Sequence, residues 1–207
     1  MPGVIHSDDY MLVVEKPAGL LSVPGRLAEN KDCLITRLQV DYPDALTVHR
    51  LDMATSGLMV FARGAQSHRD LSKAFAERRV AKRYVALVVG ELVAQSGSVD
   101  LPLVTDWPNR PRQMVSHTLG KPSLTHWRVL ARDSGRTLVE LEPVTGRSHQ
   151  LRVHMLAIGH PIIGDVFYAP PDVVALSRRL LLHACTLEVP HPQTGERLTF
   201  CSKAEFI

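Results

Sequence analysis

Short apolar runs broken by glycine, proline and small polar residues dominate this chain, and that pattern predicts many strands and few helices. Residues 11–15 are an apolar run stopped by Lys16-Pro17-Ala18-Gly19, which reads as a strand entering a turn. Thr47-Val48 ends one extended piece and residues 58–61 form the next, with β-branched and aromatic side chains clustered around Gly57. Residues 80–89 alternate, so that Val80, Lys82, Tyr84, Ala86 and Val88 share one side of a strand. Two hairpins follow. One joins 124–131 to 137–142 through Asp133-Ser134-Gly135-Arg136, and the other joins 186–189 to 198–201 through Gln193-Thr194-Gly195.

Three helices are predicted between these strands. Asp32 is placed to cap the first, with Leu34, Ile35 and Leu38 on one face and Pro43 as its end. Ser67 and Asp70 open the second, whose Leu71 and Phe75 face inward while Arg69, Lys73, Arg78 and Arg79 face out. The third spans 148–158, buries Leu151, Met155 and Ile158, and closes at Gly159 ahead of Pro161. The strands outnumber the helices and no regular βαβ alternation appears. The expected class is α+β, with a mixed, mostly antiparallel sheet.

At 207 residues the chain is expected to be a single domain, 1–207, with two lobes at most. It has no apolar run of the roughly 18 residues a membrane helix needs, and no signal-peptide layout, so a cytoplasmic protein is expected. Cys33, Cys185 and Cys201 are odd in number and lack a CxxC, and are expected to be small buried hydrophobes. Net charge is only +3, but its distribution is uneven. Between 63 and 83, Arg63, Arg69, Lys73, Arg78, Arg79, Lys82 and Arg83 face only Asp70 and Glu77, and 107–121 adds Arg110, Arg112 and Lys121 without an acid. Such segregation suits either a phosphate-tracking face or a solvated helix face.

Residues 47–63 read TVHRLDMATSGLMVFAR. Asp52 sits on a short connection between two extended pieces, two residues from Arg50, and a nearby opposite charge favours the ionised carboxylate. A fixed carboxylate of this kind can be a nucleophile or a base, or a turn aspartate paired with Arg50.

His49-Arg50-Leu51-Asp52 followed by Thr55-Ser56-Gly57-Leu58 resembles the HRLDxxTSGL signature of the RluA family of RNA pseudouridine synthases. Lys16-Pro17-Ala18-Gly19, Lys82-Arg83-Tyr84 and Thr145-Gly146-Arg147-Ser148-His149-Gln150-Leu151-Arg152 extend the resemblance over nearly the whole chain. Within the family, Leu21-Ser22-Val23-Pro24-Gly25-Arg26, Met53-Ala54 and Asp106-Trp107-Pro108-Asn109-Arg110-Pro111 are similar to a dual-specificity branch acting on 23S ribosomal RNA and on the anticodon loop of transfer RNA.

The resemblance implies the pseudouridine synthase fold, a bent sheet with flanking helices and a central cleft, without the amino-terminal RNA-binding domain that many relatives carry. It implies Asp52 as the catalytic carboxylate, Arg147 as the cation beside it, and Tyr84 as the aromatic side chain that stacks on the target uracil. Arg50 looks like the residue that fills the gap left by the flipped uridine. His49, Arg110, Arg112 and Lys121 are candidate substrate contacts. Read without the family, Arg147 would cap a helix or pair with Glu142, and Tyr84 would be a core residue.

The implied reaction needs no metal or organic cofactor. His149 and His154 are five apart, and no HExxH, GxxxxGK[ST] or GxSxG occurs. A monomer without a membrane or obligate protein partner is expected. A non-catalytic RNA-binding module on the same fold and a synthase with a single RNA target are the alternatives.

Overall fold

The computed structural model describes residues 3–25 and 31–207. Arg26, the last residue of the Leu21-Ser22-Val23-Pro24-Gly25-Arg26 stretch, lies outside them. The chain forms two compact units, Met1–Lys82 with His183–Ile207, and Arg83–Leu182.

In the first unit the sheet is built on one strand that is buried almost throughout. β1 (Gly3–Ser7) pairs antiparallel with β2 (Met11–Lys16), and β2 pairs antiparallel with β4 (Ser56–Arg63) from Met11↔Ala62 to Lys16↔Gly57. The second half of β4 also carries β3 (Ala45–Thr47), antiparallel. Its first residues run parallel to β11 (Leu182–Pro190), through His183↔Ser56 and Ala184↔Gly57, and β12 (Arg197–Cys201) closes that side as a hairpin on β11. Flanked on both edges, β4 reads as a continuous apolar run because neither of its faces meets water. Met11, Val13, Leu58, Val60 and Ala62 form the core with Leu187 and Val189, and helix α2 (Gly64–Ala76) covers them with Leu71 and Ala74.

The second unit holds an antiparallel sheet in the order β5 (Ala81–Val89), β10 (Arg136–Pro143), β9 (Leu124–Asp133), β6 (Ser96–Asp100). The β9–β10 hairpin turns through Ser134 and Gly135, both at positive φ, as a two-residue type I′ turn requires. A separate two-stranded ribbon, β7 (Leu103–Thr105) with β8 (Gln113–Val115), projects an exposed loop. Helix α3 (Gln150–Ala157) is buried along its first six residues, polar ones included, and the short α4 (Pro171–Val174) follows it.

Several expectations are corrected. Helix α1 (Leu34–Leu38) starts after Cys33, not Asp32, and ends five residues before Pro43. Thr36 Oγ1 accepts from the Cys33 amide (3.1 Å), while both Asp32 carboxylate oxygens accept from Arg37 (2.7 and 2.6 Å), so Asp32 is spent on an ion pair one turn further on. Helix α2 begins at Gly64, three residues before Ser67, because Gly64 at φ +74° turns the chain straight out of β4; Ser67 is buried within the helix. The outward Arg69, Lys73, Arg78 and Arg79 are exposed as expected. Helix α3 starts at Gln150 because His149 adopts the left-handed conformation (φ 54°), and Ile158 is only half-buried beyond its end. Of the cysteines, Cys33 is buried, but Cys185 is intermediate and Cys201 exposed at the outer strand β12; all three are free thiols.

Candidate active site

The loop that carries Asp52 is held from both sides by main-chain contacts. Lys16 is fully buried at the end of β2, and its Nζ donates to the carbonyls of Pro17 (2.8 Å), Leu20 (2.7 Å) and Met53 (3.0 Å). The Gly19 amide donates to the same Met53 carbonyl (2.8 Å). On the other side of Asp52, Ser22 Oγ donates to the Leu51 carbonyl (2.7 Å) and accepts from the Leu51 amide (3.1 Å). The Thr55 amide then donates to the Asp52 carbonyl (3.1 Å), closing the turn. The Lys-Pro-Ala-Gly turn is thus a clamp on the Asp52 loop, 37 residues away in sequence. Asp52 itself is half-buried, Arg50 and Met53 are exposed, and Leu51 is buried.

The Ser56-Gly57 end of the signature is structural. Ser56 Oγ hydrogen-bonds His183 Nδ1 (2.9 Å), and His183 Nε2 meets Ser202 Oγ (2.9 Å). Gly57 has φ +112°, and a Cβ there would lie 2.4 Å from the Ala184 carbonyl oxygen, so only glycine allows β4 and β11 to approach.

His49 accepts a hydrogen bond from the Val60 amide at Nε2 (3.0 Å) and stacks on Phe75 (centroids 4.7 Å apart), which ties the start of the signature to β4 and α2. Burial, supported by the Lys82 ammonium, pushes its pKa down to about 3. The neutral ring is therefore the form the fold favours. The stability it contributes is complete above the ordinary pKa of 6.5 and is lost as pH falls towards 3. His154 in the second unit is shifted the same way by burial. Burial opposes the ionised form of Asp8, but hydrogen bonds from His6, the Tyr10 and Met11 amides and His191 hold its pKa at about 2, so its loss falls at lower pH. We expect urea unfolding at pH 7.0, 5.5 and 4.5 to show declining stability. In His49→Gln the slope should shrink by up to about 1.4 kcal/mol per pH unit, one proton's worth. Equal slopes in the two proteins would show that His49 is not the group responsible.

In the second unit Tyr84 lies on β5 opposite Leu141 and is only 8% exposed. Arg147 is exposed; its Nε donates to the Pro122 carbonyl (3.3 Å) rather than to Glu142. Gln150 fixes the turn around it. Its Oε1 accepts from the Arg147 amide (3.0 Å) and Thr145 Oγ1 (2.8 Å), and its Nε2 donates to the Leu124 carbonyl (2.9 Å) and Thr125 Oγ1 (3.0 Å). His149 Nδ1 meets the Tyr168 hydroxyl (2.6 Å), which also accepts from the Gln113 amide (2.8 Å). In the first turn of α3, the buried Arg152 grips Asp165 with two hydrogen bonds (2.8 and 2.6 Å) and lies over the rings of Phe167 and Tyr168. Arg110, Arg112 and Lys121 are exposed on and beside the β7–β8 ribbon.

His49, Arg50 and Asp52 thus belong to the first unit, and Tyr84, Arg110, Arg112, Lys121 and Arg147 to the second. The supporting residues missed by sequence reading are Lys16, Ser22, Tyr168 and the Arg152–Asp165 pair. Lys16, Ser22 and Arg152 each stand in a stretch that carries the family resemblance, although no role was read for them, whereas Tyr168 and Asp165 carried no local signal. Among the described residues, no group of three or more His, Cys, Asp or Glu side chains is placed to hold a metal ion. Among the same described residues, no helix is long and apolar enough to cross a membrane.

The sequence profile of the family described as RNA pseudouridylate synthase matches residues 10–157, a span that includes the Asp52 loop, Tyr84 and Arg147. The chain belongs to this family. It is an RNA pseudouridine synthase, an isomerase of the α+β class, as the signature around Asp52 implied. The chain is 53% identical over 204 residues to the "Dual-specificity RNA pseudouridine synthase RluA" of Yersinia pestis, covering 98% of this chain and 99% of that protein. The protein of the same name from Escherichia coli K12 is also 53% identical over 204 residues, covering 98% of this chain and 93% of the relative. Among solved structures, human RNA Pseudouridylate Synthase Domain Containing 1 superposes with a TM-score of 0.85 at 28% identity, covering all of this chain and 85% of that one. The synthase family thus accounts for both the sheet architecture and the signature loop.

Proposed function

We propose that this synthase converts uridine to pseudouridine in two RNA classes, a stem-loop of 23S ribosomal RNA and the anticodon loop of transfer RNA, in the cytoplasm where those RNAs are found. The observation that carries this reading is the 53% identity along 98% of the chain to a relative named for dual specificity. The reaction breaks the bond between N1 of uracil and the ribose, turns the base and rejoins it through C5. The C5 proton is lost and N1 gains one, so there is no redox change.

In this reading Asp52 is the catalytic carboxylate, supported by a loop whose main chain is clamped by Lys16, Gly19 and Ser22. Arg147 supplies a cation and Tyr84 the stacking ring, both carried over from their motif positions. Arg50 takes the place of the flipped base, since a guanidinium can stack on bases and bond phosphate. His49, expected as a substrate contact, instead positions the signature, because its ring is taken up by the Val60 amide and Phe75, while Arg110, Arg112 and Lys121 meet RNA phosphates. The whole chain acts as one catalytic domain and as a monomer; the family match running from residue 10 to 157, through both units, supports the single domain.

The test is a position-resolved pseudouridine map of transfer RNA and 23S ribosomal RNA from cells lacking the gene. Wild type should restore sites in both RNAs. Restoration in one RNA alone would make it a single-target synthase, and restoration in neither would leave an RNA-binding module.

A further inference from the structure

The loop between β7 and β8 carries a conspicuous surface feature, an open tryptophan to which no role is assigned above, beside the basic residues already assigned to phosphate contact. Trp107 is 66% exposed, and the Arg110 guanidinium lies 4.5 Å from its ring centroid. A tryptophan left this open forgoes the burial that normally makes the residue worth having. Its support is nevertheless built. The Asp106 amide donates to the Arg112 carbonyl (3.0 Å), the Asn109 amide to the Asp106 carbonyl (3.1 Å), and the Arg112 amide to the Asn109 carbonyl (3.0 Å). Asn109 Nδ2 donates to Asp106 Oδ2 (2.9 Å), so the loop's one acid is engaged within the loop. The base of the ribbon is fastened as well, by the Gln113 amide on the Tyr168 hydroxyl (2.8 Å) and by the reciprocal pair between Leu103 and Lys121 (3.0 and 2.8 Å).

We propose that Trp107, backed by Arg110, is a stacking platform for an unpaired base of the substrate RNA other than the target uridine. An indole face accepts any base without a hydrogen-bond code, and a cation on the ring strengthens the assembly. The base must be unpaired, because a duplex keeps its base faces stacked on one another. The charge around the ring selects a polyanion: Arg110, Arg112 and Lys121 are exposed nearby, and the carboxylate of Asp106 is occupied. The platform therefore adds affinity for loops over stems. It rests on the stem-loop substrate proposed above.

Trp107 and Trp127 are the two tryptophans of the chain. Titrating the full-length protein with a stem-loop RNA should quench tryptophan fluorescence, while a fully paired duplex of equal length should not. Trp107→Phe should lose most of that quench. In turnover assays Trp107→Ala should raise KM roughly tenfold or more with kcat within about twofold, and Trp107→Phe should fall between it and wild type. An unquenched wild type, equal quenching by duplex, or an unchanged KM in Trp107→Ala would overturn the platform and leave this face to another partner. If Trp107→Ala fails to fold, the quench comparison between wild type and Trp107→Phe decides alone. Stem-loop quenching that depends on Trp107, in a protein that modifies neither RNA, would support the platform while sinking the dual-target reading.

Discussion

Asp52→Asn is expected to lower turnover on RNA by at least roughly a thousandfold while the protein stays folded and binds RNA within a few-fold of wild type. Asparagine keeps the size and one acceptor oxygen of the side chain but cannot supply a negative charge or take up a proton. The loop should survive the change. Its geometry is set by Lys16 Nζ and the Gly19 amide on the Met53 carbonyl and by Ser22 on the Leu51 main chain, contacts that do not use the Asp52 carboxylate. Single-turnover rates and RNA binding, with thermal melting as the control for folding, measure the three quantities separately. A melting temperature that collapses would make Asp52 a structural turn residue. A folded variant with wild-type rate would remove it from the chemistry.

Asp165→Ala is expected to cost about 3–5 kcal/mol of stability, a large effect for a single side chain. Arg152 and Asp165 are almost completely shielded from water (3% and 0% exposed), and two hydrogen bonds join them. Removing the carboxylate leaves the guanidinium in a dry site without its counter-charge, and the Phe167 amide loses its acceptor on Asp165 Oδ1 (3.0 Å) as well. Replacing both partners by apolar residues, Arg152→Met with Asp165→Leu, should cost less than Asp165→Ala alone, because no charge is then stranded. Denaturant unfolding of the single and double variants checks this. A double variant less stable than the single one would show that the pair contributes through something other than mutual neutralisation. Because Arg152 lies in the first turn of α3, which begins three residues after Arg147, any loss of order should reach the Thr-Gly-Arg turn before the distant sheet edges.

The elements that sequence reading located well are those specified by neighbours along the chain. The two late hairpins, the run of β4 and the buried face of α1 came from alternation, a Gly-containing turn or an apolar cluster, all local signals. The helix starts were misplaced for the opposite reason. Asp32 is a good cap by type, but Arg37 takes its carboxylate; Ser67 reads as a cap, but Gly64 has already turned the chain. Strands β1, β6, β7 and β8 escaped notice because, polar or short, they are stabilised by pairing to partners rather than by their own pattern.

The sequence by itself determined the family, the aspartate on its signature loop, the α+β class and the segregation of basic residues, since each is written in residue types at close spacing. Only the tertiary structure decided why Gly57 must be glycine, what buried Lys16 clamps, how His49 is kept neutral and that Arg152 and Asp165 neutralise each other. Each of these depends on an encounter with another part of the chain, where excluded water and close packing set the energy, and spacing along the sequence does not encode which groups will meet.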